Sequence, residues 1–246
     1  MLLTLIEPNS SPFVVLLGQL LPLSLLAGVM GLDVVSFPQA MISRPIVAAT
    51  VAGVLLGAPI AGLVCGASLE CLALESLPVG ASRYPEWGSA SVVAGAVAAH
   101  GVQGSDMPHA GALVVSVGVG IATAWLGGLT MIKLRQLIAA FARPRLSQLA
   151  AGNRNTVVGL QVFGMTADLV RGVLIGALTY APAALLAAWV DAHWAVREDL
   201  TRAYVVTTVA AVAAAAVWKD FHAISGTRRL FLASLAVGTL LVVLGA

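Results

Sequence analysis

Glu70 closes a stretch from Pro45 to Leu69 that holds no charged residue, and Arg44 opens it. Glu75 and Glu86 follow in the next segment, CLALESLPVGASRYPEWG. A carboxylate at the end of a membrane-length apolar run is costly to place, and ionisable groups at membrane depth are functional-site candidates by default. On one helix Glu70 and Glu75 would sit ~140° apart, on different faces, so a carboxylate dyad is not expected. A single carboxylate beside the Ser68 hydroxyl suits a polyhydroxylated ligand, because each carboxylate oxygen accepts where the ligand's hydroxyls donate. The competing reading of Glu70 is a salt bridge to an arginine such as Arg44 or Arg83. Glu75 is open between ligand contact and structure, and Asp33 reads as the terminus of a span.

The elements that must position these groups are apolar helices. Of 246 residues 59% are hydrophobic and 10% charged, against about 25% charged in a soluble domain. Segments 8–32, 110–132, 172–190 and 230–246 are free of formal charge and near the ~20 residues a span needs. Segment 203–218 is shorter, but Arg202 and Lys219 can snorkel at its ends. The expected fold is all-α: a polytopic integral membrane protein with roughly seven to nine transmembrane or re-entrant helices. Gly57-Ala58-Pro59 should break the 45–69 run into two half-helices, since Pro59 cannot donate to the helical ladder. Two GxxxG patterns, Gly53–Gly57 and Gly62–Gly66, read as sites of close helix packing. Segment 87–99 is too short to cross upright and requires cover from protein or a wet cavity. Pro182 marks a kink.

One membrane domain, 1–246, is expected. Its N-terminal half, 1–131, carries a broken-helix substrate element at 44–86. A basic cytoplasmic loop, 132–155, leads to a C-terminal half, 156–246, of three spans. Lys133, Arg135, Arg143, Arg145 and Arg154 share that loop with no acid, the positive-inside pattern. By alternation 101–109 and 191–199 lie outside and 219–229 inside. No Lys or Arg precedes Arg44, so the first apolar segment is a retained span rather than a secretory signal. Nucleic acid is not an expected partner, and membrane lipid is. The spacing of Cys65 and Cys71 fits neither a metal nor a redox motif. With dispersed histidines, no metal and no cofactor are expected. P-loop, dinucleotide, HExxH and GxSxG signatures do not occur, so uphill transport would draw on a gradient or a partner.

The segment LDVVSFPQAMISRPIVAATVAGVLLGAPIAGLVCGASLECLALESLPVGASRYPE, residues 32–86, resembles the IIC component of the mannose–fructose–sorbose family of bacterial sugar phosphotransferase systems. GLQVFGMTADLVRGVLIGAL, after the basic loop, is similar to the same family more weakly. The resemblance implies a translocation subunit in the bacterial cytoplasmic (inner) membrane, oligomeric and paired with a IID membrane subunit. Cytoplasmic IIA and IIB components would relay phosphate to a hexose-like sugar as it is released, and IIC itself would carry no phosphorylated residue. It places Glu70 on the family's LE glutamate as a sugar-hydroxyl ligand. Ser68, Gln39 and Asp33 fall on polar positions of the same motifs, and Ser82 falls in the loop after the broken helix with Gly80 and Ala81. Glu86 stands where the family usually has aspartate, and Glu75 where many relatives have a small or apolar residue. With Arg83, Tyr84 and Trp87 these departures imply a narrower pocket. The alternative function is a stand-alone proton-coupled carrier of a small polar solute, with Glu70 or Glu75 titrating; a non-transporting membrane scaffold is a third.

Overall fold

A computed structural model describes residues 12–74, 84–102 and 107–244, the backbone alone at 12–16 and 242–243. Glu75 and Ser82 therefore lie outside the described residues, with Pro78, Gly80 and Arg83. Helices follow one another as α1 (Pro12–Asp33), α2 (Pro45–Leu55), α3 (Pro59–Ala73), α4 (Trp87–His100) and α5 (Ala110–Ala142). After a 3₁₀ turn (Arg143–Arg145) come α6 (Leu146–Ala150), α7 (Arg154–His193), α8 (Glu198–Phe221) and α9 (Thr227–Val243). No β-strand occurs among the described residues; Val102 and Pro108 form an isolated bridge.

Proline and glycine break the 45–69 run where the sequence indicates. Gly57 turns the chain at φ 79°, a conformation that glycine adopts without a Cβ clash, and Pro59 opens α3 at a position where its missing N–H costs nothing. The two half-helices fold back into a hairpin. A Cβ on Gly66 would lie 2.8 Å from the Pro45 carbonyl oxygen, and one on Gly53 would lie 3.0 Å from the Gly62 Cα. Gly53, Gly62 and Gly66 of the GxxxG patterns therefore serve backbone contact, the small-residue packing that lets helices associate where all side chains are apolar, while Gly57 serves the turn. The same device joins α1 to α7, where a Cβ on Gly172 would meet the Gly28 Cα at 2.8 Å.

Helix α4 is the centre. Its residues 88–98 are all buried, and α1, α2, α3, α5 and α7 pack against it. A helix apolar all round must be enclosed, and that enclosure makes a short, non-crossing helix tolerable at membrane depth. Helices α5, α7 and α8 have the length and hydropathy to cross a membrane. Their outward leucines, such as Leu174, Leu178 and Leu185, are half exposed or more, as expected of a lipid-facing stripe.

The segment expected as a basic loop is helical over nearly all its length. Helix α5 continues to Ala142, and the 3₁₀ turn and α6 together occupy most of what remains before α7. At 1.5 Å per residue the 33 residues of α5 and 40 of α7 reach about 50 and 60 Å, well beyond a ~30 Å hydrocarbon core. Lys133 and Arg135 consequently sit on α5 rather than in a connection, and Arg135 turns inward.

Candidate functional site

Between α1 and α2 the chain makes a turn-rich loop, 34–44, that carries Gln39 and directly follows Asp33, two of the polar positions expected to bind ligand. Asp33 organises it. Its carboxylate, 2% exposed, accepts the Ala40 N–H at 2.7 Å and the Ser43 N–H at 2.9 Å. Held this way, Gln39 and Met41 adopt φ of 58° and 61°. For residues with a Cβ this left-handed region costs roughly 1–2 kcal/mol each and persists where surrounding contacts over-determine it.

The loop forms one wall of a cavity of about 310 Å³. Asp33, Gln39 and Arg44 line that wall, and Tyr84, Pro85 and Trp87 line the one opposite. The second wall is anchored to α5: the Glu86 N–H donates to the Ala124 carbonyl at 2.8 Å, and Arg135 donates to the Tyr84 hydroxyl at 2.7 Å. The cavity thus offers an amide, a guanidinium and two aromatic rings within a largely apolar surround. Small-ligand sites have this composition, with a few polar groups fixing orientation.

The remaining expected site residues take different places. Glu70 is paired with Arg44 and also accepts the Ile46 N–H at 3.2 Å, which puts its charge at the N-terminus of α2, where the helix dipole favours an anion. Of its two candidate arginines, Arg44 is the partner seen. Ser68 turns its hydroxyl back to the Val64 carbonyl of its own helix at 2.9 Å. Neither residue lines the cavity; Arg44 connects Glu70 to it. Glu86 is fully buried behind the second wall, where it caps α4 by accepting the Ser89 N–H at 2.9 Å. Its carboxylate faces protein, not the cavity, so it supports the site from behind. Cys65 is buried, Cys71 partly so, and both are free thiols.

A second charge cluster was not anticipated. Asp168 and Arg171 are the only charges between Arg154 and Asp191, and both are buried in α7. Arg171 Nε donates to Asp168 Oδ1 at 2.9 Å, and Nη2 lies 2.9 Å from the same oxygen. Nη1 reaches the Gly127 carbonyl at 3.3 Å and stands 3.8 Å from Glu86 Oε2. The far oxygen of Asp168 accepts the Ser36 hydroxyl at 2.6 Å. Opposite charges three apart on a helix were the available signal. Also missed was a chain in which His100 Nε2 lies 2.6 Å from the Tyr180 hydroxyl, which itself donates to Gln19 Oε1 at 2.8 Å.

A family model described as PTS system sorbose-specific IIC component matches residues 17–197. No curated protein matches the sequence. A solved structure titled "Structure of membrane protein" is similar over 96% of this chain and 96% of that one, with a TM-score of 0.64 at 19% identity. At that identity the likeness shows the fold alone: helices in the same arrangement over almost the whole chain.

Proposed function

We propose a function from one premise: the chain belongs to the family of sorbose-specific IIC components of phosphotransferase systems. It is a multi-pass membrane protein and a sugar permease subunit. The finer reading is that it binds a hexose-like sugar in the cavity between loop 34–44 and the Tyr84–Trp87 wall. It then passes the sugar inward for phosphorylation by a IIB component, working with a IID membrane subunit in the bacterial inner membrane. The observation that carries this reading is the cavity itself, which adjoins the hairpin of half-helices. Discontinuous helices of this kind form substrate sites near the midplane of transporters.

The chemistry assigns roles. One Gln39 amide N–H donates to the Val35 carbonyl at 2.5 Å, and the remaining N–H and the amide oxygen can donate to and accept from sugar hydroxyls. Arg44 donates from the same wall, and its pairing with Glu70 fixes the guanidinium while leaving the carboxylate free to accept a hydroxyl if the pair opens. The half-buried Trp87 ring offers an apolar face to the C–H side of a sugar ring. Asp33 has both oxygens committed to loop amides, so its part is to shape the site.

Membranes carrying the chain and its IID partner, supplied with phosphoenolpyruvate and the cytoplasmic phosphocarriers, should accumulate a hexose as its phosphate. Gln39→Ala should raise the half-saturating sugar concentration roughly tenfold, about one charge-assisted or two neutral hydrogen bonds. Free sugar accumulating under a proton gradient alone would establish the stand-alone carrier instead. A reporter fused near residue 148 should read cytoplasmic; a periplasmic signal would invert the direction of transport inferred here.

A further inference from the structure

The cavity has two walls that share no helix. Loop 34–44 hangs between α1 and α2, and the 84–87 wall lies between α3 and α4, with Trp87 opening α4. Helix α1 packs on α4, where Ser89 Oγ donates to the Ala27 carbonyl at 2.9 Å, and buried charged side chains behind the walls add a second link. On the first side, Ser36 of the loop donates to Asp168 Oδ2 at 2.6 Å. Asp168 Oδ1 receives Arg171 Nε at 2.9 Å. On the second side, Glu86 Oε2 faces Arg171 Nη1 at 3.8 Å, and Glu86 is the residue between wall residues Pro85 and Trp87. The guanidinium therefore stands between two carboxylates, each of which reports to one wall.

We propose that Arg171 is a positioning residue of the cavity, the side chain between two carboxylates through which loop 34–44 is coupled to the 84–87 wall and the gap between them is set. Only an arginine suits this place. Its planar fork carries donors in several directions at once, whereas an ammonium is a compact point charge. Here Nε serves Asp168 while Nη1 serves the Gly127 carbonyl and the Glu86 side. Burial makes the arrangement stiff: the Arg171 side chain is 8% exposed, Asp168 2% and Glu86 0%. In such surroundings an unpaired charge is far more costly than at a surface, so neither carboxylate can swing away while the guanidinium stays. Oε2 of Glu86 and Nη2 of Arg171 lack an aligned hydrogen-bond partner. The Glu86 arm is thus held by charge at 3.8 Å, and the Asp168 arm by direct hydrogen bonds. The first wall is clasped more tightly than the second.

The effect on sugar binding rests on the reading of this cavity given under Proposed function; the coupling of the two walls does not. The test uses hydrogen–deuterium exchange of amides 36–44 and 84–88 in the purified full chain, beside sugar uptake by the complete system. Ser36→Ala, a mild change at an exposed residue, should speed exchange in 36–44 roughly fivefold, the loss of about one neutral hydrogen bond, and leave 84–88 unchanged. Arg171→Lys should speed exchange in both segments, and adding Ser36→Ala to it should have little further effect in 36–44. Multiplying effects in the double variant, or an unchanged 84–88 segment in Arg171→Lys, would overturn the proposal. In uptake, Arg171→Lys should raise the half-saturating sugar concentration about tenfold with a maximal rate changed by less than half of that. Exchange that opens both walls while half-saturation stays fixed would uphold the positioning role and remove the cavity from the sugar path.

Discussion

An ion pair and a three-residue charge cluster flank loop 34–44, and they differ in almost every respect that matters. Arg44 and Glu70 sit at the cavity edge with side chains 41% and 19% exposed. Arg171, Asp168 and Glu86 sit behind it with almost no exposure. An exposed pair gains little net free energy, about 0–1 kcal/mol, and can open at small cost when a ligand offers replacement partners. A buried group of charges cannot: breaking one by removing a partner costs about 3–5 kcal/mol, because the survivor is left charged and unsolvated. The accessible pair is therefore suited to exchanging partners with a sugar, and the buried cluster to holding the frame in which that exchange occurs.

The sharpest way to break this contrast is to unpair the buried side. Asp168→Ala should destabilise the protein by about 3–5 kcal/mol, visible as a large fall in the melting temperature of the purified chain and in its folded yield. It leaves Glu86 at 3.8 Å as the one carboxylate beside Arg171, with the Gly127 carbonyl still accepting from Nη1, and frees Ser36. A melting temperature within a degree or two of wild type would mean that the cluster is hydrated and that the contrast with the edge pair is unreal.

Glu70→Gln tests the other side and should be smaller in stability, about 1 kcal/mol or less, since the amide oxygen can still accept the Ile46 N–H. Its consequence should appear in binding: with the carboxylate gone, Arg44 loses its anchor and the site loses an acceptor. Hexose binding by the chain with its IID partner should weaken roughly tenfold. Undiminished binding would leave Glu70 as no more than a clamp on the N-terminus of α2.

How far the sequence reveals this arrangement follows from the range of the interactions. Breaks set by local chemistry were legible: Gly57 and Pro59 divide the apolar run, and the brevity of 87–99 required the enclosure that α4 receives. Pairings across the chain were not. Glu70 had two arginines to choose from, and Asp168 could not announce Ser36, 132 positions away. Periodicity shows which face of a helix is apolar, not which helix it meets. The helical stretch 132–150 was missed for another reason. Clustered basic residues without an acid read as a connection, yet arginine is a good helix former, and Pro144 falls inside the 3₁₀ turn rather than in α5.

The smallest expected effect is at Ser68, and its smallness is informative. Its hydroxyl is already satisfied by the Val64 carbonyl on the same helix at 2.9 Å, an i−4 bond that contributes little to helix stability. Ser68→Ala should change stability by no more than about 0.5 kcal/mol and leave the half-saturating sugar concentration where it is. The residue resembles a ligand position only in sequence, where it stands beside Glu70; on the helix its hydroxyl is spent one turn back, away from the ion pair and the charge cluster. A clear loss of binding in Ser68→Ala would therefore relocate the sugar from the cavity between loop and wall to the face of α3. In that case the division of labour between edge pair and buried cluster would have to be redrawn around the hairpin.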